Sequence, residues 1–458
     1  MSAWKACDIR GVYPAEVNPE MFRQVGRSVP ILLPPTARVV VAGDYRVSTP
    51  GLKAALAQGL VEAGASVIDA GQAPTPIIYF AHHHWGTDAI LIVTASHNPA
   101  QHNGLKLMLG YLPPTEEDLR RLRSKVEKDG FSGSDAAGTL ECRDPVPLYL
   151  EWIEERWRHL KLRRKLRLVL DPGNGAWAEL APPVFERLGF AVDCLFCEID
   201  GNFPNRPPDC ARSANLVKLR TAVRANKADM GIAWDGDGDR VAFVDHHGKF
   251  VSADEISMLL ARKLLAGRTG EKVAYDLKLS AVFRKVVLEM GGIPLTERSG
   301  HTFLKRRVIG DHCLLGCEIS GHYFFRELHG GDDGMFAALQ LLELLQEGRS
   351  LAELRQELPG MHMTPDLRLP LQADEYDSII LRIRQAVHPD EETAIDGVRM
   401  QTEDGFVLVR RSVTEPVITM RIEGLTALSL QKLVDRCASA LPEFTEAIFA
   451  QILQEGTR

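Results

Sequence analysis

The sequence predicts an α/β chain: three related strand–helix units, then a smaller α+β unit with an antiparallel sheet. Three observations predict it. Short β-branched runs alternate with amphipathic stretches, and the alternation starts afresh three times. The C-terminal part changes to strands arranged about a tight turn. At 458 residues the chain is also about three times a usual domain of ~150, so several cores are expected.

The first cycle opens with the strand Arg38–Ala42. Thr49 and Pro50 supply an N-cap and a first-turn proline for a helix through Glu62, which Gly64 closes. Val67–Ala70 is the next strand, Thr75-Pro76 starts another helix, and Ala89–Thr94 is a buried strand. The second cycle has the strand Arg167–Asp171, a Gly173-Asn174-Gly175 turn into a helix reaching Leu188, and strands at Ala191–Phe196 and Met230–Trp234. The third runs through a helix at Asp254–Leu265, the strand Lys272–Asp276, a helix at Ala281–Met290, the strand Leu314–Glu318 and a helix at Asp333–Leu345. Pro359-Gly360 and Thr364-Pro365 mark a linker. Beyond it, Val398–Thr402 and Phe406–Arg411 flank the turn Glu403-Asp404-Gly405, and Val417–Ile422 is a further strand. Helices near Glu375–Val387 and Ser429–Leu441 bracket these strands. The expected domains are 1–141, 142–246, 247–361 and 362–458.

Composition excludes several classes. A hydrophobic fraction of 45% and a charged fraction of 25% are those of a globular protein, not of a disordered, collagen-like or disulfide-stapled one. The formal charge of −7 argues against a general nucleic-acid binder. No apolar run is long enough to span a bilayer, and the N-terminal residues lack a signal-peptide apolar core. The 8 cysteines read as buried thiols of a reducing compartment, so a cytoplasmic protein with no membrane or nucleic-acid partner is expected. Cys194 and Cys197 read as packing rather than redox or zinc ligands, and His82-His83-His84 as a helix end. His246-His247-Gly248 reads as a hairpin turn and the basic run Lys161–Arg167 as a solvated linker face.

Two loops carry chemistry. Thr94-Ala95-Ser96-His97-Asn98-Pro99 follows a buried strand, where α/β proteins keep their sites. Asp235-Gly236-Asp237-Gly238-Asp239-Arg240 follows the strand that ends at Trp234. Three alternating carboxylates with glycines between them can converge on one hard cation, and repel one another without it. The spacing is too short for an EF-hand, and Mg²⁺, which takes few carboxylates plus a phosphate oxygen, fits best. A phosphoserine at Ser96 would supply that oxygen.

Together these loops resemble those of the α-D-phosphohexomutases. Lys5-Ala6-Cys7-Asp8-Ile9-Arg10-Gly11 is similar to the family's N-terminal motif, with Cys7 where a tyrosine is usual. Cys317-Glu318-Ile319-Ser320-Gly321-His322 is similar to its sugar-recognition loop, with Cys317 replacing a glycine. Arg410-Arg411-Ser412-Val413-Thr414 is similar to its phosphate-binding loop, with Val413 where asparagine is common. The resemblance implies three α/β/α-layered domains with mixed sheets and a smaller α+β domain, arranged around a central cleft. It implies Ser96 as phosphoryl carrier, and Ser96, Asp235, Asp237 and Asp239 as ligands of one Mg²⁺. Arg10, Lys106 and His322 would handle protons and polarise phosphate, with His97 and Arg240 supporting the phosphoserine. Lys278, His301, Lys305, Glu318, Ser320, Arg410, Ser412 and Thr414 would bind substrate.

The implied reaction interconverts hexose 1-phosphate and hexose 6-phosphate through a glucose or mannose 1,6-bisphosphate, which also serves as activator. Ile319 stands where a phosphoglucosamine mutase usually has glutamine, which favours the phosphomannomutase/phosphoglucomutase subgroup. The alternatives are that mutase, a Mg-dependent sugar phosphatase and a silent sugar-phosphate binder. The partner is a phosphosugar, and the chain is expected to act as a monomer, with a dimer as the alternative.

Overall fold

A computed structural model describes residues 3–6, 8–128, 138–162, 165–370, 375–411 and 417–455. Cys7, Ser412, Val413 and Thr414 lie outside the described residues. So does part of the basic run 161–167.

Four sheets organise the chain. The first is six-stranded, in the order Ile9–Val12, His102–Leu109, Ala89–Val93, Arg38–Gly43, Ser66–Gln72 and Thr139–Cys142. Its centre is parallel, while Ala89–Val93 pairs antiparallel with His102–Leu109. The second sheet places Met230–Trp234 parallel to Arg167–Asp171 and antiparallel to Val241–Asp245. The third places Leu315–Cys317 parallel to Lys272–Asp276 and antiparallel to Tyr323–Phe325. The fourth is antiparallel throughout, with Val398–Thr402, Gly405–Arg411 and Val417–Gly424 in succession. Three mixed α/β sheets and one antiparallel sheet are the expected fold class.

The central strands Arg38–Gly43, Ala89–Val93 and Met230–Trp234 are buried on both faces, which is why they read as nearly unbroken apolar runs. Val40, Ile68 and Ile90 point into a core shared with the second and third sheets. Their neighbours Val39, Val41 and Leu91 point into a core under the first two helices of the chain. The fourth sheet has its own core, built on Ile383, Met420 and Leu433. Among the described residues, no helix is long and apolar enough to cross a membrane.

Three local expectations need correction. Thr49 is not an N-cap: Ser48 holds that position without a side-chain bond, and Thr49 Oγ1 donates to Asp44 Oδ1 at 2.6 Å. The helix expected after the turn Gly173-Asn174-Gly175 and reaching Leu188 is only Ala181–Arg187. Pro182 and Pro183 have no N–H to donate and fit only the first turn of a helix, so the helix starts at Ala181. The linker residues His362–Met363 are a strand paired to Glu423 and Gly424.

The discounted motifs behave as ordinary structure. His82 lies between Thr87 Oγ1 and the Gly110 carbonyl, and His83 stacks on Tyr111 and His329. Asp245 Oδ1 accepts from the backbone of His247 and Lys249, closing the hairpin. Cys197 packs against the core as read, whereas Cys194 is exposed and does not.

Candidate active site

Three loops meet where the first three sheets face one another. Each leaves a strand that is parallel to one neighbour and antiparallel to the other: the serine loop after Val93, the aspartate loop after Trp234 and the Glu318 loop after Cys317. Such strand ends are where sheet topology leaves a crevice.

Ser96 is buried with φ +50°, a conformation rare for a residue with a side chain. Its N–H donates to Thr94 Oγ1 at 2.9 Å, and its hydroxyl donates to Asp235 Oδ2 at 2.8 Å. His97 Nδ1 lies 3.4 Å from the same hydroxyl, so neighbours that would ordinarily diverge face each other. Burial, then Arg240 and Arg10, push the His97 imidazole well below its usual range and leave it neutral.

Asp235, Asp237 and Asp239 are all fully buried, with carboxylate oxygens close enough together to hold one metal ion. Tight turning is enforced by Gly238, at φ +81° against the Trp177 indole, whose Nε1 donates to the Gly238 carbonyl at 2.9 Å. Burial, Asp237 and Asp239 together raise the Asp235 carboxyl to about 8. A cation would remove that penalty. Among the described residues Asp237 Oδ1 has no hydrogen-bond partner, a buried acceptor of the kind a metal takes up. The donor set, oxygen only, fits a hard divalent ion.

Cations surround this cluster. Lys106, opposite Ile92 on the strand His102–Leu109, reaches Asp237 Oδ2 at 2.7 Å and also pairs with Asp239. Burial alone would lower the Lys106 pKa, yet the two aspartates hold it well above the usual range. Arg240 lies 3.8 Å from Asp235 and 3.4 Å from His322 Nε2. Arg10 is braced by Asp8 at 2.8 Å and by Asn98 of the serine loop at 2.9 Å.

His322 has Nε2 at 3.2 Å from Asp239, and Nδ1 at 2.8 Å from Glu318 and 2.9 Å from Ser320 Oγ. Against burial, Asp239 and Glu318 raise it to about 9, so the ring carries a proton. His301 stacks on His322 at 5.6 Å, and burial followed by Lys106 and His322 hold it well below its usual range. Lys305 pairs with Asp332 at 2.6 Å over the face of Tyr79.

Two residues expected at the site pair elsewhere. Lys278 bonds Asp366 at 2.9 Å, and Arg410, which is buried, pairs with Asp396. Sequence reasoning missed Asp44, Arg46 and Thr75. Thr75, the first residue of its helix, donates to Asp237 Oδ2 at 2.8 Å across the sheets. Asp44 accepts from Thr94 Oγ1 at 2.7 Å. It lies just past a parallel strand beside the serine-loop strand, and that position was the available signal.

A hydroxyl hydrogen-bonded to a carboxylate cluster inside a ring of buried cations fits phosphoryl chemistry beside a metal, which places the protein among phosphotransfer enzymes. The comparisons are specific. The family models described as phosphoglucomutase/phosphomannomutase alpha/beta/alpha domains I, II and III match residues 2–132, 147–248 and 252–361. A phosphomannomutase/phosphoglucomutase of Pseudomonas aeruginosa is 34% identical over 438 residues, covering 94% of each chain. A phosphoglucomutase of Neisseria gonorrhoeae is 34% identical over 440 residues, covering 94% of this chain and 95% of its own. The crystal structure of a phosphoglucomutase/phosphomannomutase family protein from Burkholderia thailandensis superposes with TM-score 0.86 at 34% identity, covering 96% and 97% of the two chains. The chain belongs to the phosphoglucomutase/phosphomannomutase family, the α-D-phosphohexomutases, and is a hexose-phosphate mutase.

Proposed function

We propose that the mutase works through a phosphoserine at Ser96, with Mg²⁺ held by Asp235, Asp237, Asp239 and a phosphoserine oxygen, and that it accepts glucose and mannose phosphates. The carrying observation is the 2.8 Å contact between Ser96 Oγ and Asp235, made between loops of different sheets. Bound there, Mg²⁺ would offset phosphoryl charge.

The chain's own groups do the rest. Phospho-Ser96 gives its phosphoryl group to the free hydroxyl of a hexose 1- or 6-phosphate. The P–Oγ bond breaks, a P–O bond to the sugar forms, and the hydroxyl proton ends on Ser96 Oγ. The bisphosphate turns around and returns its other phosphate to Ser96. Lys106 and His322, both held protonated, act as donors to phosphoryl oxygens, and Arg10 is aimed by Asp8 and Asn98. Glu318 and Ser320 face sugar hydroxyls, with His301 and Lys305 beside them. Lys278 and Arg410 reach the phosphate once they leave Asp366 and Asp396, joined by Ser412 and Thr414. The domain limits 1–141, 142–246, 247–361 and 362–458 belong to the same reading.

Intact mass of the chain treated with hexose bisphosphate, combined with a glucose 1-phosphate assay, tests this. The expected results are one phosphate mapped to Ser96, turnover abolished by chelation and restored by Mg²⁺, and a loss of at least ~10³-fold in Ser96→Ala. Full turnover in Ser96→Ala contradicts the carrier. Free phosphate in place of glucose 6-phosphate makes the protein a phosphatase instead.

A further inference from the structure

We infer that Arg46, seated between the serine loop and Phe203, is the positioning residue that fixes the phosphoryl-carrying loop against the aspartate loop. The inference rests on the assignment of Ser96 as carrier and concerns what aims it.

Arg46 is fully buried, and among the described residues its side chain hydrogen-bonds Asp44 and main-chain carbonyls, not the carboxylate cluster. A buried guanidinium needs partners for all its N–H groups, of which there are five. Here every one is taken, and four go to main-chain carbonyls, three in the serine loop and one at the first residue of the strand that follows it. Nη1 donates to the carbonyls of Pro99 at 2.7 Å and His102 at 3.0 Å. Nη2 donates to those of Ser96 at 2.7 Å and Asn98 at 2.6 Å. Nε donates to Asp44 Oδ2 at 3.1 Å, which balances the charge. Asp44 also accepts from Thr94 Oγ1, which in turn accepts from the Ser96 N–H. The loop is thus gripped at its carbonyls by Arg46 and at the Ser96 amide through Asp44 and Thr94. That grip maintains the left-handed conformation at Ser96.

The other side of the guanidinium ties the loop to the segment that follows Ala191–Cys194, the edge strand of the second sheet. It lies over the Phe203 ring, 5.0 Å from the centroid. Gly201 runs so close to residues 45–47 that a Cβ there would lie 2.8 Å from Arg46 Cα and 2.7 Å from Val47 N. Farther along the same segment, the Pro208 carbonyl accepts from Gly236 N at 3.0 Å, inside the aspartate loop. The Ser96 carbonyl is enclosed between Arg46 Nη2 and Gly236, where a Cβ would come within 2.5 Å of it. Arg46 therefore bears on the spacing between phosphoryl carrier and metal ligands without contacting either reacting group. A lysine has three donors and no planar fork, so it cannot span four carbonyls.

Arg46→Lys separates a positioning role from a packing one. The expected outcome is a folded enzyme by circular dichroism whose kcat falls ~10–100-fold while KM for glucose 1-phosphate stays within about twofold. The ³¹P resonance of its phosphoserine should broaden or split relative to the wild type, because the loop samples more than one conformation. A folded Arg46→Lys with wild-type kcat and resonance overturns the inference, as does a raised KM with kcat unchanged. If Arg46→Lys does not fold, Phe203→Leu decides, since it removes only the ring beneath the guanidinium. A few-fold fall in kcat with KM unchanged and a broadened resonance support the inference, and wild-type values overturn it. Failure of the underlying reading is seen separately, as a wild-type chain that carries no phosphate on Ser96.

Discussion

At the scale of single residues, the site depends on how closely two loops approach. The 2.8 Å bond between Ser96 Oγ and Asp235 requires the loop backbones to touch, and they touch at Gly236. Alanine there would set a methyl group 2.5 Å from the Ser96 carbonyl and 3.1 Å from Pro208 Cβ. The closer clash is with the Ser96 carbonyl, so the two loops have to move apart. Misplacement by ~1 Å costs on the order of 10²-fold in rate. Gly236→Ala should therefore lower kcat by about that factor, with KM little changed and the circular dichroism spectrum intact. A variant with native kcat would show that the loops have slack. The chemically distinctive residues of this site were legible in the sequence, because alternating aspartates repel one another unless a cation joins them, and a loop serine after a buried strand supplies the hydroxyl beside it. Asp44 and Arg46 were not. A lone Asp-Tyr-Arg reads as a polar loop until the fold shows that Arg46 donates to main-chain carbonyls, which leave no mark on a sequence, and that Asp44 accepts from Arg46 and from the Thr94 hydroxyl.

At the scale of elements, strands with an apolar run or an alternating pattern were legible, and the strand His102–Leu109 was not. The strand His102–Leu109 begins with His, Asn and Gly, yet it carries Lys106 into the cluster. Its pairing with Ala89–Val93 and Ile9–Val12, rather than its own propensity, makes it a strand. The first two helices show a related effect. Pro19–Ser28 and Thr49–Glu62 cross with Gly26 and Gly59 at the contact. A Cβ on Gly59 would run into the Arg23 carbonyl, and one on Gly26 into that of Leu56. Glycine costs a helix ~1 kcal/mol relative to alanine, so on propensity alone Gly59→Ala would stabilise. The clash is with backbone, which cannot rotate aside, and overpacking of this kind costs about 1–3 kcal/mol, sometimes more. The second effect wins. Gly59→Ala should lower the midpoint of thermal unfolding by several degrees, and a rise would show that the helices separate freely. Arg23 and Arg27 both pair with Glu62 across the same crossing, which leaves the helices little freedom to part.

At the scale of the whole molecule, the first three sheets repeat one device and the fourth departs from it. In each of the three, the loop at the site leaves a strand where parallel pairing gives way to antiparallel, so the recurrence visible in the sequence is one of topology. These sheets share an apolar core, whereas the fourth has its own core and meets the third largely through polar groups. Arg421 pairs with Asp254 at 2.8 Å, Ser280 Oγ donates to Glu423 at 2.9 Å, and Arg399 donates to the Leu277 carbonyl at 2.7 Å. Arg421 and Asp254 are both buried, and Asp254 Oδ1 also accepts from Ser280 N at 2.8 Å. Removing one partner of a buried pair strands the other charge and costs about 3–5 kcal/mol, although replacing both with apolar groups can be nearly neutral. Asp254→Ala should therefore bring unfolding of the C-terminal part forward, with limited proteolysis cutting near residue 362 well before the rest of the chain opens. Arg421→Met added to Asp254→Ala should restore part of that loss, because the stranded guanidinium is gone. If the double variant is no more resistant than Asp254→Ala, the ion pair does not hold the fourth sheet in place. The attachment then resides in the apolar contact of Leu277 with Phe406 and Leu408.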